Sequence, residues 1–165
     1  MTREDKNTKK IEKIVINAGI GRISSQPNFV DKILPELIKD FSLMVGQKPS
    51  TQGAKKSISG FKLREGMIVG LKATLRGRRM IDFLEKIIKI VLPRIRDFRG
   101  IDPKNIDSHG NLTIGIKENL VFPEINPEIS KVSFGVQVTI VPQSVKNRNA
   151  AIETYRSLGL PLKRK

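Results

Sequence analysis

An α+β fold is predicted, with one mostly antiparallel sheet carrying helices on one face and leaving its other face and its loops open to a partner. Three observations predict it. Short alternating apolar segments are separated by glycine-containing turns, and longer stretches place apolar residues at helical spacing. The segments also follow one another as hairpins and single helices, without the strict strand–helix alternation of a parallel sheet.

Taken in order, Ile11 to Ala18 sets Ile14, Ile16 and Ala18 on one side and Lys13, Val15 and Asn17 on the other, the pattern of a half-buried strand. Asn28 is placed to cap a helix whose apolar positions Val30, Ile33, Leu34, Leu37, Ile38 and Phe41 lead to a stop near Gly46. Pro35 should bend this helix or mark its true start one turn later. Between Pro49 and Arg76 the pattern becomes short glycine-broken strands, with Phe61–Arg64 and Ile68–Leu75 forming a hairpin around Glu65-Gly66. A helix from about Arg79 to Leu92 has Met80, Phe83, Leu84, Ile87, Ile88 and Val91 on one stripe, and Pro93 stops it. Its outer face pairs Asp82 with Lys86 and Glu85 with Lys89. Asn111–Ile116 and Val132–Val141 read as strands, and Val145–Leu158 as a last helix capped by Ser144 and stopped by Gly159. No repeat or long linker divides the chain, so a single domain over residues 11–165 is expected behind a polar stub at residues 1–10.

Charge narrows the function classes. The 165 residues carry 31 Lys and Arg against 16 Asp and Glu, a net charge of +15. Such an excess repels itself and is best tolerated when a polyanion neutralises it. No apolar run reaches the roughly 20 residues needed to span a bilayer, so no membrane partner is expected. The start is polar and contains Glu4 and Asp5, unlike a signal peptide, and the absence of Cys fits a reducing, cytoplasmic compartment. The cations cluster. Lys55, Lys56, Lys62, Arg64, Lys72, Arg76, Arg78 and Arg79 face Glu65 alone between Gly53 and Arg79, and Arg94, Arg96 and Arg99, then Lys163, Arg164 and Lys165, form two further groups. Clustering is what phosphate neutralisation predicts. Seven Phe, one Tyr and no Trp, mostly on apolar stripes, make a stacking platform for single strands a poor fit. Folded RNA recognised by backbone, shape and 2′-hydroxyls fits better.

Catalytic chemistry has no candidate constellation. Asn17-Ala18-Gly19-Ile20-Gly21 ends a strand, but Ser24 stands where a dinucleotide fingerprint needs its third glycine. The better use of this stretch is a tight turn whose amides face a phosphate. Gly53-Ala54-Lys55-Lys56-Ser57 lacks the spacing of a phosphate loop. His109 is the single histidine and sits in a turn, Asp107-Ser108-His109-Gly110, so no metal site is expected. No carboxylate pair is apparent. The expectation is a protein that is not an enzyme and needs no cofactor.

Read together, these segments resemble the bacterial-type ribosomal protein five family of the large subunit, the 5S rRNA-binding family. The matching strings are K-I-V-I-N-A-G-I-G (Lys13 to Gly21), G-Q-K-P (Gly46 to Pro49), A-K-K-S-I-S-G-F-K-L-R-E-G (Ala54 to Gly66), K-A-T-L-R-G-R-R-M (Lys72 to Met80), L-P-R-I-R-D-F-R-G (Leu92 to Gly100), G-N-L-T-I-G-I-K-E from Gly110 and F-P-E-I from Phe122. In order, they cover most of residues 11–141. The resemblance implies a structural constituent of the large subunit that anchors 5S rRNA in the central protuberance through Lys13, Asn17, Gln47 and Thr74, with Gly19, Gly21, Lys48 and Arg76 in the same motifs. It implies a flexible basic loop of Lys55, Lys56, Ser57, Gly60, Phe61 and Arg64 that reaches peptidyl-site tRNA. It also implies contacts with large-subunit rRNA and neighbouring 5S-associated proteins, and a bridge to a small-subunit head protein from the region between Arg94 and Ile129, in a cytoplasmic or organellar ribosome. Relatives usually carry a helical segment before the first strand, where this sequence has the polar stub Met1 to Lys10. The alternatives are a free RNA chaperone or regulator, which would bind many RNAs alike, and an RNA-modifying enzyme, which would need a catalytic set.

Overall fold

Alternation of β-branched and polar residues makes Ile11–Gly19 the first strand, β1. Its even positions Ile14, Ile16 and Ala18 are buried, whereas Lys13, Val15 and Asn17 are half-buried on the other side. The computed structural model describes residues 10–61, 63–130, 132–145 and 147–163. The stub ahead of Lys10, Lys62 of the basic stretch, Lys146 of the expected last helix, and Arg164 and Lys165 of the terminal cluster lie outside the described residues.

The other strands are β2 (Ser50–Gly53), β3 (Ile68–Leu75), β4 (Leu112–Ile116) and β5 (Val136–Pro142). They form one open, mostly antiparallel five-stranded sheet in the order β2-β3-β1-β5-β4, with helices packed on it, as the periodicity predicts. The longer helices are α1 (Leu34–Val45), α2 (Gly77–Lys86) and α3 (Arg148–Ser157). The chain divides into two compact units, residues 1–15, 74–115 and 137–165 in one, and 16–73 and 116–136 in the other.

In the first unit, α2 buries Met80, Ile81, Phe83 and Leu84. The α3 helix contributes Ala151 and Tyr155, both fully buried. The Tyr155 hydroxyl lies 2.7 Å from the Gly110 carbonyl and 3.0 Å from that of Ile140, so its one proton is shared between two carbonyls beside a fully buried ring. Burial drives its phenol well above the usual range. In the second unit, α1 buries Leu37, Phe41, Met44 and Val45, and Gly46, at φ 73°, ends it in the left-handed conformation a glycine adopts without strain. Asn119 is fully buried. Its carboxamide accepts from the Phe134 amide and donates to the Val132 carbonyl, each at 3.4 Å.

Several boundaries differ from expectation, each for a local reason. Asn28 adopts φ 59° and its side chain caps nothing. Pro35 stands in the first turn of α1 and so marks the start of the regular helix about a turn after Val30, whereas Pro93 is itself followed by one more helical residue. Each is preceded by a five-residue π-helical turn, Phe29–Ile33 and Ile87–Val91, in which the residue before the proline donates five positions back, Leu34 to Phe29 and Leu92 to Ile87. The wider turn makes room for a ring that has no N–H and crowds the preceding carbonyls. Helix after Pro93 lasts only to Arg94. Phe61–Arg64 is not a strand. On that side β3 pairs instead with β2, with Ser50 opposite Lys72 and Gln52 opposite Gly70, antiparallel. The ladder of β5 begins at Val136 because Phe134's amide is taken by Asn119. The last helix begins at Arg148, with Ser144 in a left-handed bend (φ 54°) ahead of it and Gly159 (φ 87°) after it.

Candidate nucleic-acid interface

The period of two that buries one side of β1 and β3 sets their polar residues on the other. In the second unit, Asn17 is half-buried on β1 and Lys72 exposed on β3, beside Ser50 and Gln52 of β2. The Ser50 hydroxyl donates to the Lys72 carbonyl at 3.2 Å, and the Gln52 amide donates to that hydroxyl at 3.0 Å. Gln47 is half-buried and Lys48 exposed in the connection between α1 and β2, just before the buried Pro49. Gly19 is exposed, with no atom within 4 Å of where a side chain would begin, and Gly21 faces Val69. The turn they form is not a free amide nest, because the Ile20 amide donates to the Val69 carbonyl at 3.0 Å. The helical turn after it, Gly21–Ser24, is held by the Ser24 hydroxyl donating to the Gly21 carbonyl.

The basic loop belongs to the same unit. Lys55, Lys56, Ser57, Gly60, Phe61 and Arg64 are all exposed. Hydrogen bonds close the loop on itself. Ala54 exchanges backbone hydrogen bonds with Met67 and Gly66, Ile58 and Leu63 exchange two more, and the Ser57 hydroxyl accepts from the Glu65 amide at 2.9 Å. At its tip Phe61 is 74% exposed, the most exposed large apolar side chain among the described residues. Sequence reasoning assigns most Phe to the core, and Phe61 is the clear exception.

In the first unit, Lys13 and Thr74 are half-buried and Arg76, Arg78 and Arg79 exposed where β3 passes into α2. One oxygen of Glu12 lies 3.3 Å from both the Lys13 ammonium and the Arg76 guanidinium. The Lys13 hydrogen bond and charge, then those of Arg76, hold the Glu12 carboxyl below its usual range. Arg94, Arg96, Arg99 and Lys163 are also exposed. Sequence reasoning passes over Ser50, Gln52 and Glu12. The first two lie on a strand with no apolar alternation to reveal it, and the third matters only through contact with Arg76.

The described residues contain no group of three or more His, Asp or Glu able to hold a metal, and no helix long and apolar enough to cross a membrane. Fold and surface together define an α+β protein whose strands turn amide, hydroxyl and cationic groups outward beside a basic loop. Residues 7–64 match the family described as ribosomal protein L5, and residues 68–162 match the model for the C-terminus of that same ribosomal family. Proteins named large ribosomal subunit protein uL5 are close relatives. That of Pseudothermotoga lettingae is 50% identical over 155 residues, covering 94% of this chain and 82% of its own. Those of Oceanobacillus iheyensis (47% identical; 94% and 84% covered) and Halothermothrix orenii (45% identical; 92% and 82% covered) are similar. The chain belongs to the ribosomal protein L5 family, and is a structural, non-enzymatic protein of the large ribosomal subunit.

Proposed function

We propose that this protein anchors 5S rRNA in the central protuberance of the large subunit, in ribosomes of the cytoplasm. The observation that carries this reading is the outward row on β1 and β3: Lys13 and Asn17, then Lys72 and Thr74, alternate with buried apolar residues. Fixed donors on a rigid strand suit phosphates and 2′-hydroxyls of a folded RNA, which needs shape more than base readout. Gln47, Lys48, Gly19, Gly21 and Arg76 complete the 5S rRNA contacts.

The closed loop carrying Lys55, Lys56, Ser57, Gly60, Phe61 and Arg64 serves a second RNA, the peptidyl-site tRNA, with the Phe61 ring available to stack on a base or ribose. The region between Arg94 and Ile129 reaches a small-subunit head protein, and the remaining exposed arginines meet large-subunit rRNA and neighbouring 5S-associated proteins.

A salt-titrated binding curve on 5S rRNA, with bulk tRNA as control, tests the anchoring role. Binding to 5S rRNA should outlast tRNA binding as salt rises. Equal affinities that collapse together would leave counterion release alone and a general RNA chaperone in its place.

A further inference from the structure

On the open strands β1, β2 and β3 assigned to RNA, one residue has the wrong sign. Glu12 is the second residue of β1 and is about half exposed, yet a single oxygen of its carboxylate is shared by Lys13 and Arg76 at 3.3 Å each. Two strands converge to make this contact, since Arg76 follows the end of β3, sixty-four residues away in sequence. A carboxylate held between two cations occupies the position a phosphate oxygen would take. We propose that Glu12 is an internal competitor for phosphate, masking Lys13 and Arg76 from loosely held polyanions and so raising selectivity for the RNA that fits. The inference rests on reading the open strands as an RNA surface, but the masking itself can be tested without that RNA.

Non-specific association is driven by cations that release counterions from a phosphate backbone, and a cation already neutralised contributes little. All three side chains are partly in water, so the ion pairs are weak and screened. A folded RNA that presents a phosphate at this point and makes further contacts elsewhere can displace the carboxylate. A diffusely bound strand has nothing to offset the displacement. Glu12 therefore acts against wrong partners more than against the right one, which is how specificity arises from a repulsive element.

The test compares Glu12→Gln with Glu128→Gln, an equal change of net charge on an exposed residue of the other unit. On a heparin column, whose sulfates probe bare polyanion affinity, Glu12→Gln should elute at higher salt than Glu128→Gln. Coincident elution would mean that only net charge had changed, and the proposal would be overturned. In solution, Glu12→Gln should bind bulk tRNA roughly three- to tenfold more tightly at low salt, with a salt slope steeper by about one, while 5S rRNA affinity moves less than about twofold. Loss of affinity for both RNAs would show that Glu12 positions its neighbours for binding rather than masking them, again overturning it. If the wild-type protein does not prefer 5S rRNA, the anchoring role fails, and the heparin comparison still decides the masking.

Discussion

Around Tyr155 polar groups are enclosed: the hydroxyl sits between the carbonyls of Gly110 and Ile140, and the residue has no exposed surface. In the loop from Ala54 to Met67 the hydrogen bonds are as regular, but every side chain from Lys55 to Phe61 lies in solvent. Both regions are ordered by hydrogen bonds, and only one is ordered by burial. A buried bond left unmade costs the desolvation of its partner, whereas an exposed one is replaced by water. Stability should therefore reside in the Tyr155 region, and function in the loop and the open strands.

The largest effect belongs to Tyr155→Ala, which should cost about 3–5 kcal/mol in denaturant unfolding. A loss below about 1 kcal/mol would refute the anchoring role of the ring. Tyr155→Phe separates hydroxyl from ring and should cost about 1–3 kcal/mol. The hydroxyl also gives a pH signature. Burial raises its pKa in the folded state, so its stabilisation is complete below the ordinary phenol value of about 10 and is lost as pH climbs past it. Unfolding curves above that pH should show this loss in the wild type and not in Tyr155→Phe. On the open strands, Asn17→Ala or Thr74→Ala should weaken 5S rRNA binding by about 1–3 kcal/mol with little change in stability. Unchanged affinity in both would sink these site assignments. Replacing Lys55 and Lys56 by Gln should shift stability by less than about 0.5 kcal/mol and leave 5S rRNA binding intact while disturbing tRNA positioning. A large loss of 5S rRNA affinity would mean the two surfaces had been exchanged. The smallest effect belongs to Ser57→Ala, expected to speed hydrogen exchange at the Glu65 amide with no measurable change in melting.

Where periodicity is strong, the fold is legible. β1, β3, β4, the stripe of α2 and the glycine stops at Gly46 and Gly159 are all readable from residue type. β2 is not, because Ser50-Thr51-Gln52-Gly53 is exposed throughout and alternates nothing. β5 reads as starting four residues too early, since Val132 and Phe134 continue its alternation while a distant Asn119 takes the amide the ladder needs. The basic loop is legible as charge, but its closure through Ser57 is not, because that bond joins positions eight residues apart. Glu12 cannot be found at all without tertiary contact to Arg76.

The two π turns leave a consequence in the text of the sequence. Phe29 and Leu34, and again Ile87 and Leu92, are buried five apart and followed at once by proline. A helix with regular turns would put such a pair on different sides. Each turn amounts to a one-letter insertion that the backbone has absorbed. Deleting one residue from Ile87–Val91 would set Ile87 and Leu92 four apart, the spacing of a regular turn, and keep Leu92 on its side, whereas deleting one from the regular turns of Gly77–Lys86 would swing everything after it by about 100°.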